Sequence, residues 1–182
     1  NSIEVIKSFN DPRIRLIQSE KNRGVCETSN ICIAKSKGKY IALIASDDVM
    51  KETKLEKQIG FLEKNPNHGA VFSGIDIINE NGNLNEKKTR KYTKIFEKEN
   101  RNRFQWLDYF FHKGNCLAAT SLVARTSSLQ NSGGLDFKIT QAHDFNLWIK
   151  LCLQGNEIHI IREKLLQYRE RDHNRNLGSN TA

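Results

Sequence analysis

The stretch Tyr40-Ile-Ala-Leu-Ile-Ala-Ser-Asp-Asp48 limits the possible folds of this chain more than any other. From Tyr40 to Ala45 it is almost wholly apolar, which predicts a strand covered on both faces, as in a parallel α/β sheet. Ser46 stops the run, and Asp47 and Asp48 follow where such a strand leaves the sheet. Ligands of open α/β sheets bind at the carboxyl ends of strands. Adjacent carboxylates there suit a hard divalent cation that takes its remaining ligands from substrate phosphates. An acidic loop that caps the next helix is the other reading of the same residues, because Asp before a helix is common.

The 182 residues suffice for one domain with a full core, or one domain plus a small lobe. No run approaches the roughly 18 apolar residues of a membrane span. Asn1-Ser-Ile-Glu4 has neither the basic start nor the apolar core of a signal peptide, and the lack of an initiator Met points to a fragment or a trimmed chain. Cys26, Cys32, Cys116 and Cys152 are scattered with no CxxC pair, so free thiols in a reducing compartment are expected rather than a zinc site.

The charge is basic, 29 Lys+Arg against 21 Asp+Glu, or +8. Much of the excess lies in Lys87-Lys-Thr-Arg-Lys91, in Arg101-Asn-Arg103, and around Arg169, Arg171 and Arg175. Such charge suits nucleic acid, anionic lipid, phosphorylated substrates or plain solvation. No aromatic residues interleave with the basic run as a single-strand platform needs, so nucleic acid is not the expected partner.

Along the chain, Ile3 to Phe9 reads as a helix end broken by Asp11-Pro12, and Ile14 to Ile17 as a short strand. Asn22-Arg-Gly24 is a turn, Val25 to Lys35 a helix, and Leu55, Ile59 and Leu62 mark a helix closed by Asn65-Pro-Asn67. Ala70 to Ile78 is a strand. The polar residues 83–103 read as a mobile loop or an excursion from the sheet. Phe104, Trp106, Leu107, Phe110 and Phe111 form an aromatic helix face, read as core. Ala119 to Ala124 is a strand and Gly133-Gly134 a turn. Gln141 to Leu153 is the clearest helix, with Phe145, Trp148, Ile149 and Cys152 on one stripe, and Ile158–Ile161 and Leu165–Tyr168 are two short strands. Helix–strand alternation in the first half points to a parallel α/β sheet.

Asp144 is the second chemical candidate. It falls in the first turn of the clearest helix, where the dipole favours negative charge. A carboxylate held ionised there suits a base that removes a proton from a hydroxyl, although a plain helix-start acid has the same signature. His143 beside it is a candidate metal ligand or hydrogen-bond donor.

The order of these pieces resembles family-2 glycosyltransferases of the GT-A fold, which are inverting nucleotide-sugar transferases. Asn22-Arg-Gly24 followed by Asn30 looks like the family's turn and helix, and Lys37-Gly-Lys-Tyr-Ile41 with Ala45-Ser-Asp-Asp48 looks like its strand into the acidic motif. Gly133-Gly-Leu-Asp136 with His143-Asp-Phe-Asn-Leu-Trp-Ile-Lys-Leu151 resembles its acceptor-side loop and base-bearing helix, and Gln167-Tyr-Arg169 its closing strand. The resemblance implies an α/β GT-A (Rossmann-like) fold with a mixed, mainly parallel sheet flanked by helices. It implies one domain over residues 1–182, with the rest of the nucleotide-binding half in 1–80 and the acceptor half and tail in 81–182. It also implies N-terminal truncation, because the family's first strand, helix and strand are not in the sequence, and an open sheet edge for a second copy or a partner chain to cover.

By the same resemblance, Asp48, or else Asp47, ligates Mn2+ or Mg2+, with His173 as a further metal ligand, while Asp47, Asn22, Gly24 and Ser29 contact the nucleotide. Asp144 is the catalytic base, and His143, Gly133 and Gly134 lie on the acceptor side. Ala45 stands where the family typically has another acid, His143 replaces its usual Glu, and Ser29 and Cys32 stand where it often has Arg and Gly. The implied reaction moves one sugar from a UDP-sugar to a glycan, lipid-linked or protein-linked hydroxyl. Gln167-Tyr-Arg-Glu-Arg171 lacks the Trp of processive synthases. The implied location is the cytoplasm, with peripheral contact at the inner membrane face. A non-catalytic module that scaffolds a partner and a basic nucleic-acid-binding domain are the alternatives.

Overall fold

The computed structural model describes residues 2–139 and 142–170. Its helices are α1 (Ser2–Ser8), α2 (Gly24–Lys35), α3 (Lys54–Lys64), α4 (Glu86–Phe96), α5 (Arg103–Lys113), α6 (Thr126–Asn131) and α7 (His143–Leu153). Its strands are β1 (Tyr40–Ala42), β2 (Val49–Met50), β3 (His68–Ile78), β4 (Val123–Arg125) and β5 (Glu157–Arg169). They form one mixed sheet in the order β1-β4-β3-β5-β2. The long central ladder, β3 with β5, is parallel, and the short ladders on either side are antiparallel. β3 is buried along nearly its whole length, as its largely apolar sequence favours.

Alternation along the strands divides the core in two. Ala70, Phe72, Ala124, Ile158 and Ile160 face Trp106, Phe110, Leu129, Leu147 and Trp148, so α5, α6 and α7 cover that side. Phe72 meets Trp148 edge-on at 4.8 Å, and the Trp106 indole donates to the Ile158 carbonyl at 3.1 Å. Val71, Val123 and Ile161 point the other way, onto Leu62, Ile59 and Phe61 of α3. The four cysteines are free.

Several sequence expectations need correction. Residues 14–17 form no strand; Ile14 and Leu16 are exposed, and no neighbouring strand among the described residues supplies a ladder. The run from Tyr40 to Ala45 is a strand only to Ala42, at the sheet edge, with Ala42 and Ile44 exposed rather than covered on both faces. Residues 86–96 are the amphipathic helix α4 rather than a mobile loop. The Asn85 side chain caps it by accepting from the Lys88 N–H, and Thr89 and Tyr92 turn inward. Ala119 to Ser121 make one 3-10 turn, and the strand there is Val123–Arg125. The two short strands after residue 157 are one strand, β5. Its register against β3 shifts around Gly74, so Arg162 and Glu163 bulge outward and pairing resumes at Lys164. Of the aromatic face on α5, Trp106 and Phe110 are core, whereas Phe104 and Phe111 are exposed.

The buried side of α3 is rotated from the stripe expected. Lys54, Gln58 and Leu62 are fully buried, and Leu55 is exposed. The Gln58 amide donates to the carbonyls of Val71 and Ser121, tying α3 to the sheet. The Lys54 ammonium has no hydrogen-bond partner among the described residues, and burial lowers its pKa from the ordinary 10.5 to about 8. Between those two values the unfolded chain binds more protons than the fold, so the stability set by this position rises with pH across that window. Lys54→Met is expected to gain about 1–3 kcal/mol at pH 7, measured by denaturant unfolding, with the gain shrinking toward pH 10.

Candidate active site

β1 and β2 lie at opposite edges of the sheet, so the chain between them crosses the sheet end. Asp47 and Asp48 sit in that crossing, held by a turn from the Asp48 N–H to the Ala45 carbonyl. The end of β5 fixes them from below. Arg169 donates its backbone N–H to Asp48 Oδ1 at 2.9 Å and its Nε to the Asp47 carbonyl at 2.8 Å. Its Nη1 donates to the carbonyls of Asn79 and Glu80 at the end of β3, both at 2.8 Å. One guanidinium thus staples the acidic crossing to two strand ends. Arg169 is not among the expected site residues; its traces in the sequence are its place in Gln167-Tyr-Arg169 and in the basic excess.

Asp48 is half-buried, and burial pushes its carboxyl upward, against the Arg169 N–H and the Thr120 side chain, which favour the carboxylate. Its Oδ2 is buried without a hydrogen-bond partner among the described residues. Burial, and then the charge of Asp48, pushes the neighbouring Tyr168 hydroxyl to about 12. Among the described residues no three His, Cys, Asp or Glu group into a metal cage. A hard oxygen donor left unpaired beside a second carboxylate nevertheless fits a divalent cation that completes its shell with substrate phosphates. His173 lies outside the described residues.

Asp144 stands in the first turn of α7, entered through Ala142 in the left-handed region at φ 62°. Its Oδ1 accepts from the Phe145 N–H at 2.8 Å, and its Oδ2 from the Asn115 amide at 3.3 Å. Burial raises the Cys26 thiol of α2, as do the charges of Asp136 and Asp144. His143 is half-buried, and its Nδ1 has no hydrogen-bond partner among the described residues. Asn22 accepts from the Gly24 N–H at 2.8 Å, which sets the turn into α2 with Gly24 at φ 73°; Ser29 is half-buried on the same helix.

One segment joins the two acidic positions. Asn115 bonds Asp144, and Thr120 faces Asp48. Five residues of extended chain reach roughly 18 Å at most, so both acids border the same short stretch. Neither Asn115 nor Thr120 carried a sequence signal.

The loop beside Asp144 is clamped from two helices. Asn30 of α2 accepts from the Leu135 N–H and donates to the Leu135 carbonyl, both at 2.8 Å. Lys150 of α7 donates to the Gly134 carbonyl at 2.9 Å. Gly133 and Gly134 have φ of 73° and 69°, and a Cβ on Gly134 would lie 2.2 Å from Asn30 Oδ1. Glycine at 134 is therefore required by close approach as well as by backbone conformation.

The fold has solved counterparts. Staphylococcus aureus TarS 1-349 in complex with UDP-GlcNAc matches with a TM-score of 0.70 at 15% identity, over 94% of this chain and 46% of that one. That likeness shows the fold, GT-A. The family model for glycosyl transferase family 2 matches residues 1–125, and the chain belongs to that family. An uncharacterised glycosyltransferase of Methanocaldococcus jannaschii is 31% identical over 169 residues, 91% of this chain and 54% of that protein. A UDP-Glc:alpha-D-GlcNAc-diphosphoundecaprenol beta-1,3-glucosyltransferase of Escherichia coli is 25% identical over 154 residues, 83% of this chain and 53% of that protein. The chain thus spans about half the length of these relatives. No described helix is long and apolar enough to cross a membrane.

Asn30→Ala removes both bonds to Leu135 and leaves a backbone N–H and a carbonyl unpaired. The expected cost is about 1–3 kcal/mol in denaturant unfolding, together with faster amide exchange at Leu135.

Proposed function

We propose that this chain is the catalytic core of an inverting transferase that moves one sugar from a nucleotide-diphosphate sugar to an acceptor hydroxyl. The observation that carries this reading is the tie of Asp48 and Asp144 to one segment, residues 115–120. A donor site and an acceptor base must lie within one substrate's reach of each other, and a segment touching both acids supports that reading.

Asp48, with Asp47, is the pair that would hold Mn2+ or Mg2+, and the chemistry such an ion supplies is neutralisation of charge on the leaving diphosphate. Arg169 pre-positions both carboxylates by fixing their loop against β3 and β5. Asp144 accepts the acceptor's hydroxyl proton as that oxygen bonds to the anomeric carbon and the bond from that carbon to the diphosphate oxygen breaks. Attack from the face opposite the leaving group inverts the configuration. The Asn115 amide on Oδ2 and the Phe145 N–H on Oδ1 hold the carboxylate in one orientation. His143, Gly133 and Gly134 lie on the Asp144 side and are assigned to acceptor binding. A UDP-sugar donor and a lipid-linked glycan acceptor are supported by the names of the Staphylococcus and Escherichia proteins.

Asp144→Asn is expected to lower transfer about 10²–10⁴-fold while UDP affinity, read by isothermal titration with manganese, stays within about twofold. Undiminished transfer in that variant removes Asp144 from the mechanism. Asp48→Asn is expected to abolish the manganese-dependent part of UDP binding, and identical titrations with and without the metal in the unaltered protein would overturn the cation assignment.

A further inference from the structure

The helix α4 carries a charge pattern that the transfer reaction does not use. Lys87, Arg90, Lys91 and Lys94 stand at i, i+3, i+4 and i+7 and are all exposed, so they form one row along the outer side of the helix. The inner side is spoken for. Tyr92, Ile95 and Phe96 pack on Ile75, Ile77 and Leu166, and Thr89 Oγ1 accepts from the Ile77 N–H at 2.8 Å. The helix is therefore bolted to β3 and cannot roll its cations away.

The nearby acids do little to cancel the row. Glu97 is engaged by Lys164 at 2.9 Å and Glu170 by Lys88 at 2.5 Å, both carboxylates being largely covered. Among the described residues, Glu86 alone pairs with the row, at 3.5 Å from Arg90, as an exposed pair worth little. Lys87, Lys91 and Lys94 have no ion pair among the described residues.

We infer that the α4 row is a docking surface for an anionic lipid bilayer, laying the protein against the membrane along this helix. The cations fan out from a convex helix instead of converging on a cleft, which suits a plane of separate headgroups better than a single phosphorylated ligand. Aromatic side chains, on which bases would stack, are absent from the exposed side of α4, which disfavours single-stranded nucleic acid. Leu84, just ahead of the helix, is 53% exposed and offers an apolar contact for the headgroup boundary. The row also has a defined relation to the candidate site, because Tyr92 of α4 and Tyr168 beside Asp48 share one apolar cluster. Docking needs no donor, acceptor or metal, so it stands or falls apart from the proposed reaction.

The test is co-sedimentation with sucrose-loaded vesicles of phosphatidylcholine alone or with about a third phosphatidylglycerol. Each juxtaposed cation contributes roughly fivefold to partitioning onto anionic vesicles. The protein is expected to bind the anionic vesicles at least about tenfold better than the neutral ones, with binding lost in high salt. The combined variant Lys87→Gln, Arg90→Gln, Lys91→Gln, Lys94→Gln is expected to lose at least about tenfold, with unchanged circular dichroism. A charge-matched control, Lys7→Gln, Lys35→Gln, Lys37→Gln, Lys64→Gln, is expected to lose less than about threefold. Equal loss in both variants would reduce the effect to net charge and overturn the inference. Failure to bind anionic vesicles would also overturn it, as would binding to soluble polyphosphate in place of vesicles. UDP titration of the α4 variant, expected to be unchanged, keeps this outcome separate from any failure of the transfer reading.

Discussion

The parallel pairing of β3 with β5 is the constraint on which the rest of the molecule rests. Both strands are long, their shared apolar faces fix the register, and the shift around Gly74 absorbs the extra residues of β5 without ending the ladder. A side chain at that point would displace the Glu97 carboxylate, because a Cβ there would lie 2.6 Å from Glu97 Oε1 and 3.1 Å from the Arg162 carbonyl. With the register fixed, the strands finish side by side, Ile78 opposite Arg169. Only then do the Arg169 groups meet the carbonyls of Asn79 and Glu80 on one side and the Asp47–Asp48 loop on the other. A slip of two residues in a ladder far from the acids would carry Arg169 out of reach and release them.

The candidate site is built from ends of elements rather than from their middles. The diacid occupies a crossing loop, Asp144 the first turn of a helix, and the segment from Asn115 to Thr120 the gap between α5 and β4. Such places have spare hydrogen-bonding groups. Their side chains accordingly do two things at once, satisfying backbone and holding a carboxylate. Asp48 shows the limit of that economy: one oxygen is bonded to Arg169, and the other is buried with no hydrogen-bond partner among the described residues. An oxygen in that condition is costly in an isolated protein and favourable to a ligand that brings positive charge.

Much of this was readable from the residues. The acidic end of the Tyr40 run, the helix bearing Asp144 and the long strand from Ala70 depend on local apolar patterning and emerged from it. What escaped depends on distant partners. Helix α4 looked like a loop because six charged residues hide the spacing of Thr89, Tyr92 and Phe96. The polar Arg162-Glu163-Lys164 looked like a break because a bulge has no pattern of its own. The Tyr40 strand was read as central because its apolar run does not tell which neighbours it has, and it lies at an edge. Arg169, Asn115 and Asn30 act through single long-range hydrogen bonds, which leave no periodicity behind.

The clasp between Asn30 and the glycine loop carries a further implication. The amide of residue 30 occupies the space that any side chain at 134 would need, so those two positions, more than half the chain apart, cannot drift independently. Exchange of the 133–136 loop for one of another specificity would have to bring its matching partner on α2 along with it. A swap that ignored this would close the very gap that the asparagine fills.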